Sequence, residues 1–193
     1  MTIRSIHLLG DPVLRTPSDA IANPHSPAVR LVADDLQETL RHLRAEHGKG
    51  RGLAAPQIGA PMRMIYVEIE KPWFILNPAV TDIGDEDFWV WDDCFSIPDL
   101  MVRVQRSYQI EMLYQDLSGR RHRIKAAGPL SELLQHEIDH LDGVLSVDRP
   151  TGQNAFSLAE EWDLHHAAAG RYGEPELRIP ERDYFVRAPA LHI

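Results

Sequence analysis

The segment from Pro129 to Leu141 constrains the fold more than any other part of the sequence. Its apolar residues recur at three- and four-residue steps, the spacing of one face of an α-helix; they are Leu130, Leu133, Leu134, Ile138 and Leu141. Pro129 suits the first turn of such a helix, and Gly143 suits the turn that ends it. The polar run from Gln135 to His140 therefore lies on a predicted helix.

This helix carries the pattern HExxH, formed by His136, Glu137 and His140. Residues four apart on a helix lie one above the other, so both imidazoles can reach one metal ion. Glu137 can hold or deprotonate a water bound to that ion, because coordination lowers the pKa of the water to about 7. The pattern also arises by chance in a chain with 10 histidines, and it is the helical context that favours a hydrolytic metal site.

A catalytic site of this kind needs a third protein ligand and an open position for water. From the residues alone, two origins stay open. The side chains downstream of the helix that could supply the ligand are Glu160, Glu161, His165 and His166. Upstream stands Cys94, the only cysteine of the chain, although a lone cysteine is more often a small buried apolar residue than a ligand.

The rest of the chain is predicted to be helical at both ends and β-rich in the middle. Apolar residues at helical spacing predict a helix from about Pro27 to His47, ended by Gly48, and another over about 157–169. Short apolar runs predict strands at 64–67, 73–76, 80–83, 102–104 and 108–114. Asn77-Pro78 is predicted to end the second of them, and Ser118-Gly119 to form a hairpin turn.

These elements predict an α+β fold in a single domain, with antiparallel or mixed β-sheets packed around the central HExxH helix. We expect residues 1–170 to form the catalytic domain, with an N-terminal and a C-terminal helix. Residues 171–193 form a Pro- and charge-rich tail that is expected to pack on the same domain.

The net charge of −9 opposes binding to nucleic acid, which calls for a basic surface. One local basic cluster is a solvated hairpin or a contact for the ribosome; it contains Arg120, Arg121, Arg123 and Lys125. A single cysteine cannot form an intrachain disulfide, and no run approaches the roughly 20 apolar residues of a membrane span. We therefore expect a cytoplasmic protein.

Three segments together resemble the motifs of the peptide deformylases in order and approximate spacing. They are the Gly50–Gly59 loop, the segment around Cys94 and the helix with HEIDH. Asp11-Pro12-Val13-Leu14-Arg15 also resembles the N-terminal segment of that family, and the resemblance covers about residues 5 to 150.

The resemblance implies a metal-dependent hydrolase that removes the N-formyl group from the initiator methionine of newly made proteins. Cys94, His136 and His140 would bind one divalent ion, which is typically Fe²⁺ in the cell, with Zn²⁺, Ni²⁺ or Co²⁺ able to replace it. Glu137 would carry the proton from water to the departing amine. Its partners would be formylated nascent peptides.

The resemblance also implies roles in the loop and beside the cysteine. The side-chain amide of Gln57 and the backbone N–H of Phe95 would stabilise the oxyanion. Gly52 would let the main chain of the substrate come close to the loop, which a side chain would obstruct.

Two residues depart from the usual family pattern beside the substrate cleft. Asp93 replaces a glycine near the pocket for the methionine side chain, and Arg51 stands where an aliphatic residue is common. Their opposite charges suggest that they pair across the mouth of the site and reshape the pocket; the alternative is that Asp93 points to solvent and alters little. These departures keep two alternatives open: a deformylase-like paralogue that acts on another formyl amide, and one that binds without turnover. An HExxH endopeptidase, with its third ligand downstream of His140, is a further alternative.

Overall fold

The structure is a computed structural model that describes residues 2–171 and 186–187. The helices are α1 (Pro27–His47), α2 (Pro129–Leu141) and α3 (Ala159–His165). The strands are β1 (Gly52–Ala54), β2 (Met64–Glu68), β3 (Pro72–Ile83), β4 (Asp87–Cys94), β5 (Ile97–Ser107), β6 (Gln109–Gln115), β7 (Arg121–Ala127), β8 (Phe156–Leu158) and β9 (Val186–Arg187). Their arrangement confirms the predicted α+β class.

The described strands form two sheets, and all of their strand pairs are antiparallel. The larger has the order β1-β2-β3-β6-β7-β9, and the smaller has the order β4-β5-β8. Hairpins of this kind need only short turns, and the turn between β6 and β7 contains Ser118-Gly119 as predicted.

The larger sheet is covered by α1 on one face and by α2 on the other. Successive residues of β2 point to opposite faces, because side chains alternate along a strand. Ile65 and Val67 belong to the apolar cluster that contains the α2 leucines. Met64 and Tyr66 belong to the cluster that contains Leu36 and Leu40 of α1. The strand-type run at 64–67 is thus buried on both sides.

Helix α2 lies in the centre of the molecule, since the smaller sheet covers the side that the larger sheet leaves open. Every residue of α2 except Gln135 is buried. Buried polar groups are costly unless they are hydrogen-bonded, so each polar side chain of this helix needs a partner or a function.

The structure differs from the predicted elements in several places. Asn77-Pro78 does not end a strand: β3 continues through it with a register shift between Leu76 and Ala79. The irregularity is fixed by Asn77, which has a φ of 50° and whose side chain binds both the N–H and the C=O of Ile21. Strand β4 was not predicted, and the last helix is shorter than predicted because β8 precedes it.

Two described parts of the predicted tail contact the two sheets. The backbone N–H of Trp91 donates to the C=O of Arg171 at 2.8 Å, and β9 pairs with β7. The rest of the predicted tail, 172–185 and 188–193, lies outside the described residues. Within the described residues, no helix is long and apolar enough to cross a membrane.

The backbone just after α2 packs against the N-terminal segment, and this contact predicts a large stability effect at Gly143. This glycine has a φ of +75°, and an added Cβ would lie 2.7 Å from the carbonyl oxygen of Arg15. We expect Gly143→Ala to lower the free energy of unfolding in urea by roughly 2–5 kcal/mol, from left-handed strain plus overpacking.

Gly119→Ala is the matched control. Its φ is +77°, but the nearest atom to an added Cβ is 3.7 Å away, so only the strain of roughly 1–2 kcal/mol applies. Both variants are compared at the same metal content, because a bound ion stabilises the folded state. If the two variants lose the same free energy of unfolding, the close contact with Arg15 does not contribute to the effect at Gly143.

Candidate metal centre

Cys94 is brought to the centre by a tight hairpin. It is the last residue of β4, and Phe95 and Ser96 alone connect it to Ile97, with which it pairs. A register shift between Asp93 and Cys94 bends the end of the strand. The hairpin tip therefore places the Cys94 Sγ 3.2 Å from the Nε2 of His140.

Three potential ligand atoms meet at this point. The Nε2 atoms of His136 and His140 are 3.2 Å apart, and both lie with the Cys94 Sγ within 4.8 Å of one another. Ligands in a tetrahedral zinc-type site, at about 2.0–2.3 Å from the ion, are separated by roughly 3.3–3.6 Å, so the three atoms fit around one ion. No other group of three such ligands is found in the part of the chain that the structure describes.

The carboxylate of Glu137 also indicates that a ligand binds at this centre, because it is buried without a full set of hydrogen-bond partners. Its Oε2 atom is buried and has no hydrogen-bond partner, and an unpaired buried polar atom is costly unless a ligand or water satisfies it. Burial raises the pKa of Glu137 to about 7. A carboxyl group with this pKa can both accept and return a proton near neutral pH.

Asp92 fixes the orientation of His136. Its Oδ2 atom lies 2.9 Å from the His136 Nδ1, which leaves Nε2 to face Cys94 and His140. Burial alone would raise the pKa of Asp92, but His136 and Arg106 together lower it below the ordinary value. Asp92 is therefore an ionised carboxylate, the partner that a metal-binding histidine usually has on its second nitrogen.

Arg106 joins the hairpin to the helix below the site. Its guanidinium donates to Asp92 Oδ2 at 3.0 Å and to Asp139 Oδ2 at 2.5 Å, and only 3% of the residue is exposed. Arg149 contacts Asp139 from the other side at 2.8 Å. Strand β5, which carries Arg106, thus holds β4 against α2.

Gln57 reaches the centre from a short 3₁₀ helix, Ala55–Ile58, that follows β1. Its Oε1 accepts the backbone N–H of Ala54 at 2.9 Å, so its amide NH₂ points towards the site. This NH₂ lies 3.2 Å from Ser96 Oγ and 3.5 Å from Cys94 Sγ. A buried donor is thereby held beside the cysteine.

The two glycines that flank Arg51 leave room for functional side chains. A Cβ at Gly52 would lie 2.6 Å from Glu137 Oε1, and one at Gly50 would lie 2.7 Å from the ring of Phe95. The sequence predicted that Gly52 makes room for substrate. The structure adds a further reason, since any larger residue would displace the carboxylate of Glu137.

The predicted pair between Arg51 and Asp93 is wrong. Arg51 instead binds Glu132 of α2, with 2.7 Å between Nη2 and Oε2. Asp93 binds Lys49 at 2.9 Å and also contacts Arg171. Burial would raise the pKa of Asp93, but Arg171 and Lys49 lower it to about 2. The sequence missed this arrangement because Glu132, Lys49 and Arg171 each lie 44 or more residues from the residue that they pair with.

The residues proposed as alternative ligands lie elsewhere. Glu160, Glu161, His165 and His166 are exposed on or after α3, and His165 pairs with Glu161 at 3.3 Å. The structure therefore does not bring them together with His136 and His140.

Two residues near the centre were missed from the sequence, although each leaves a signal. Arg106 follows Val102 and Val104 at the two-residue spacing of one strand face, so a charge falls on the buried side of β5. Glu132 lies four residues before His136 and eight before His140, which places it on the ligand face of α2.

Known proteins resemble this chain in both sequence and fold. A sequence profile for polypeptide deformylase matches residues 3–155. A peptide deformylase of Bartonella tribocorum is 38% identical over 156 residues, which are 77% of this chain and 84% of the relative. One of Dictyoglomus thermophilum is 37% identical over 76% of this chain and 92% of the relative.

Solved structures agree with this result. The crystal structure of the peptide deformylase from Thermotoga maritima superposes with a TM-score of 0.73 at 30% identity, over 79% of this chain and all of that one. The enzyme from Synechococcus elongatus, solved in complex with actinonin, gives a TM-score of 0.72 at 33% identity, over 82% of this chain and 84% of that one. The chain belongs to the polypeptide deformylase family.

Proposed function

We propose that this protein removes the N-formyl group from the N-terminal methionine of newly synthesised proteins. The observation that carries the proposal is the meeting of the Cys94 Sγ and two histidine Nε2 atoms beside a buried, unpaired carboxylate oxygen of Glu137. The reaction is amide hydrolysis: water adds to the formyl carbon, the C–N bond breaks, and formate and a free amine leave.

Cys94, His136 and His140 would bind one divalent metal ion. One thiolate and two imidazoles suit several first-row ions, and family membership favours Fe²⁺ in the cell, with Zn²⁺, Ni²⁺ or Co²⁺ as replacements. When bound, the ion supplies Lewis-acid chemistry that makes water acidic near neutral pH.

Glu137 serves as the general base and then as the general acid. Its carboxylate takes a proton from the attacking water and delivers it to the nitrogen of the breaking amide. A pKa of about 7 suits both steps. Gly52 gives the carboxylate the space to reach the substrate, since its Cα faces Glu137 Oε1.

Gln57 and Phe95 would stabilise the negative charge on the formyl oxygen. The amide of Gln57 is preoriented by its bond from Ala54 N–H, so it needs no reorganisation during the reaction. The backbone N–H of Phe95 lies in the turn directly after Cys94. Donors placed where charge develops typically contribute about 3–4 kcal/mol each to lowering the barrier.

We assign this activity to residues 1–170, as the catalytic domain, and residues 171–193 to a tail. The contacts of Arg171 with Trp91 and Asp93 support a tail that packs on the same domain. The partner would be a formylated nascent chain in the cytoplasm. Contact with the ribosome through the basic residues around Arg121 is a further hypothesis, although Arg123 of that cluster is paired with Glu111 at 3.0 Å.

The first prediction concerns the general base. In anaerobically purified protein, Glu137→Ala should lower the rate of formate release from a formyl-Met tripeptide by roughly 10²–10⁴-fold, because general acid–base transfer is lost. The metal content should stay unchanged, since Glu137 is not a ligand. Glu70→Ala, at an exposed glutamate, is the control. Bound metal without formate release in the unmodified protein would contradict the proposed function and favour a binding role.

The second prediction concerns the third ligand. Cys94→Ser should reduce the bound metal per chain to a small fraction of the unmodified value, because a thiolate ligand is lost. Glu161→Gln should leave the metal content unchanged. The reverse result, with metal kept in the first variant and lost in the second, would support an HExxH endopeptidase with a ligand downstream of His140.

A third prediction follows from the close approach of Gly52 and Glu137. Gly52→Ala should slow formate release by roughly ten- to a hundredfold, because the new methyl group displaces the carboxylate from its working position. Metal content should not change. Gly48→Ala, in the same loop region and with no atom within 4 Å of the added Cβ, should slow release far less. Equal rates for the two variants would remove the role given to Gly52.

A further inference from the structure

One wall of the cavity beside Glu137 comes from the tail. Arg171 lines this cavity together with the loop at 49–52, the end of β4 and helix α2. It lies beyond residue 155, where the match to the deformylase profile ends. The cavity is therefore closed on one side by a residue that the matched part of the chain does not supply.

Arg171 is attached to the edge of β4 by three polar contacts. Its backbone C=O accepts the N–H of Trp91 at 2.8 Å, and its Nε donates to the C=O of Trp91 at 3.0 Å. Its guanidinium also forms an ion pair with Asp93. Asp93 lies two residues after Trp91, so both side chains belong to the same face of the strand. These contacts hold the Arg171 side chain beside the end of β4 that carries Cys94.

The cavity with Arg171 in this position is too small for the substrate of the proposed function. It holds about 60 Å³, which is room for about four to six water-sized groups at roughly 10–15 Å³ each. A formyl-methionyl group has roughly ten non-hydrogen atoms, about twice that number. Some part of the wall must therefore move before the formyl carbon reaches Glu137.

Arg171 is the part of the wall that can move at the lowest cost. The lining residues supplied by α2 are buried in the core, and the end of β4 is fixed by the ion pair of Arg106 with Asp92. The side chains of Arg171 and Asp93 are 30% and 21% exposed, so water can replace their mutual contact at modest cost. Asp93 also keeps Lys49 as an ion-pair partner at 2.9 Å when Arg171 leaves.

We propose that Arg171 is a gate residue: its ion pair with Asp93 closes the cavity, and the pair opens when a formylated peptide enters. This inference rests on the proposed function, because it takes the formyl-methionyl group as the entering ligand. A gate of this kind lowers the apparent affinity by the fraction of molecules in which it is open. Removing the side chain of Arg171 therefore tightens the binding of the same peptide.

Affinities measured in the Glu137→Ala background test the gate, because that variant binds peptide without turnover. The metal-loaded full-length chain is titrated by calorimetry with formyl-Met-Ala-Ser amide, a peptide without charge. Adding Arg171→Ala should lower the Kd by roughly three- to thirtyfold, because a partly exposed ion pair and a hydrogen bond no longer compete with the peptide. Arg41→Ala is the matched control and should leave the Kd unchanged, since Arg41 forms a comparably exposed pair with Glu68 outside the cavity.

The salt dependence of the Kd is a second measurement, which a purely structural role of Arg171 would not change. Salt screens charges that are partly exposed, so raising NaCl from about 0.05 M to about 0.5 M should weaken the pair of Arg171 with Asp93. The Kd of the uncharged peptide should therefore fall with salt in the chain that retains Arg171. It should stay nearly constant in the chain with Arg171→Ala.

Weaker binding after Arg171→Ala would overturn the inference, because Arg171 would then hold the peptide instead of excluding it. An unchanged Kd, an equal response to salt in both proteins, or absence of peptide binding in both would overturn it as well. The proposed function is judged separately by formate release from the same peptide in protein that retains Glu137. Tighter binding after Arg171→Ala without formate release would contradict that function and still support the gate.

Discussion

The bridge that Arg106 makes between Asp92 and Asp139 is the interaction on which the centre depends. Asp92 lies on β4, two residues before Cys94, and Asp139 lies on α2 between Glu137 and His140. The cation thus joins the two elements that supply the three candidate ligands. Removing one member of such a buried set typically costs about 3–5 kcal/mol, because the remaining charges stay buried without compensation. Loss of Asp92 itself would also remove the partner of the His136 Nδ1.

The helical half of the site could be predicted from sequence, because its determinants are local. The apolar spacing of Pro129–Leu141 predicts α2, and the four-residue step from His136 to His140 predicts two imidazoles on one side. The cysteine half could not be predicted in this way. Residues 87–94 mix acidic and aromatic residues without strict alternation, and β4 is defined by its pairing with β5. Only the family resemblance related Cys94 to the helix.

Long-range contacts account for the remaining differences between prediction and structure. Glu132, which binds Arg51, and Arg171, one of the two partners of Asp93, lie 81 and 78 residues further along the chain, and opposite charge alone does not identify them. Similarly, Asn77 continues β3 because its side chain binds the backbone of Ile21, 56 residues away. The loop after α1, the tip of the β4–β5 hairpin and helix α2 therefore come together through contacts between residues that are far apart in sequence. Such contacts leave no periodic pattern from which they could be predicted. Most residues that line the cavity beside Glu137 come from these three segments.

The central claim is that the thiolate of Cys94 and the two imidazoles of α2 share one metal ion. X-ray absorption at the metal edge of the full-length protein, loaded with a single type of ion, measures this directly. For zinc, the account predicts one sulfur at about 2.3 Å and two imidazole nitrogens at about 2.0–2.1 Å. A shell made only of nitrogen and oxygen would contradict it, because Cys94 would then not be a ligand.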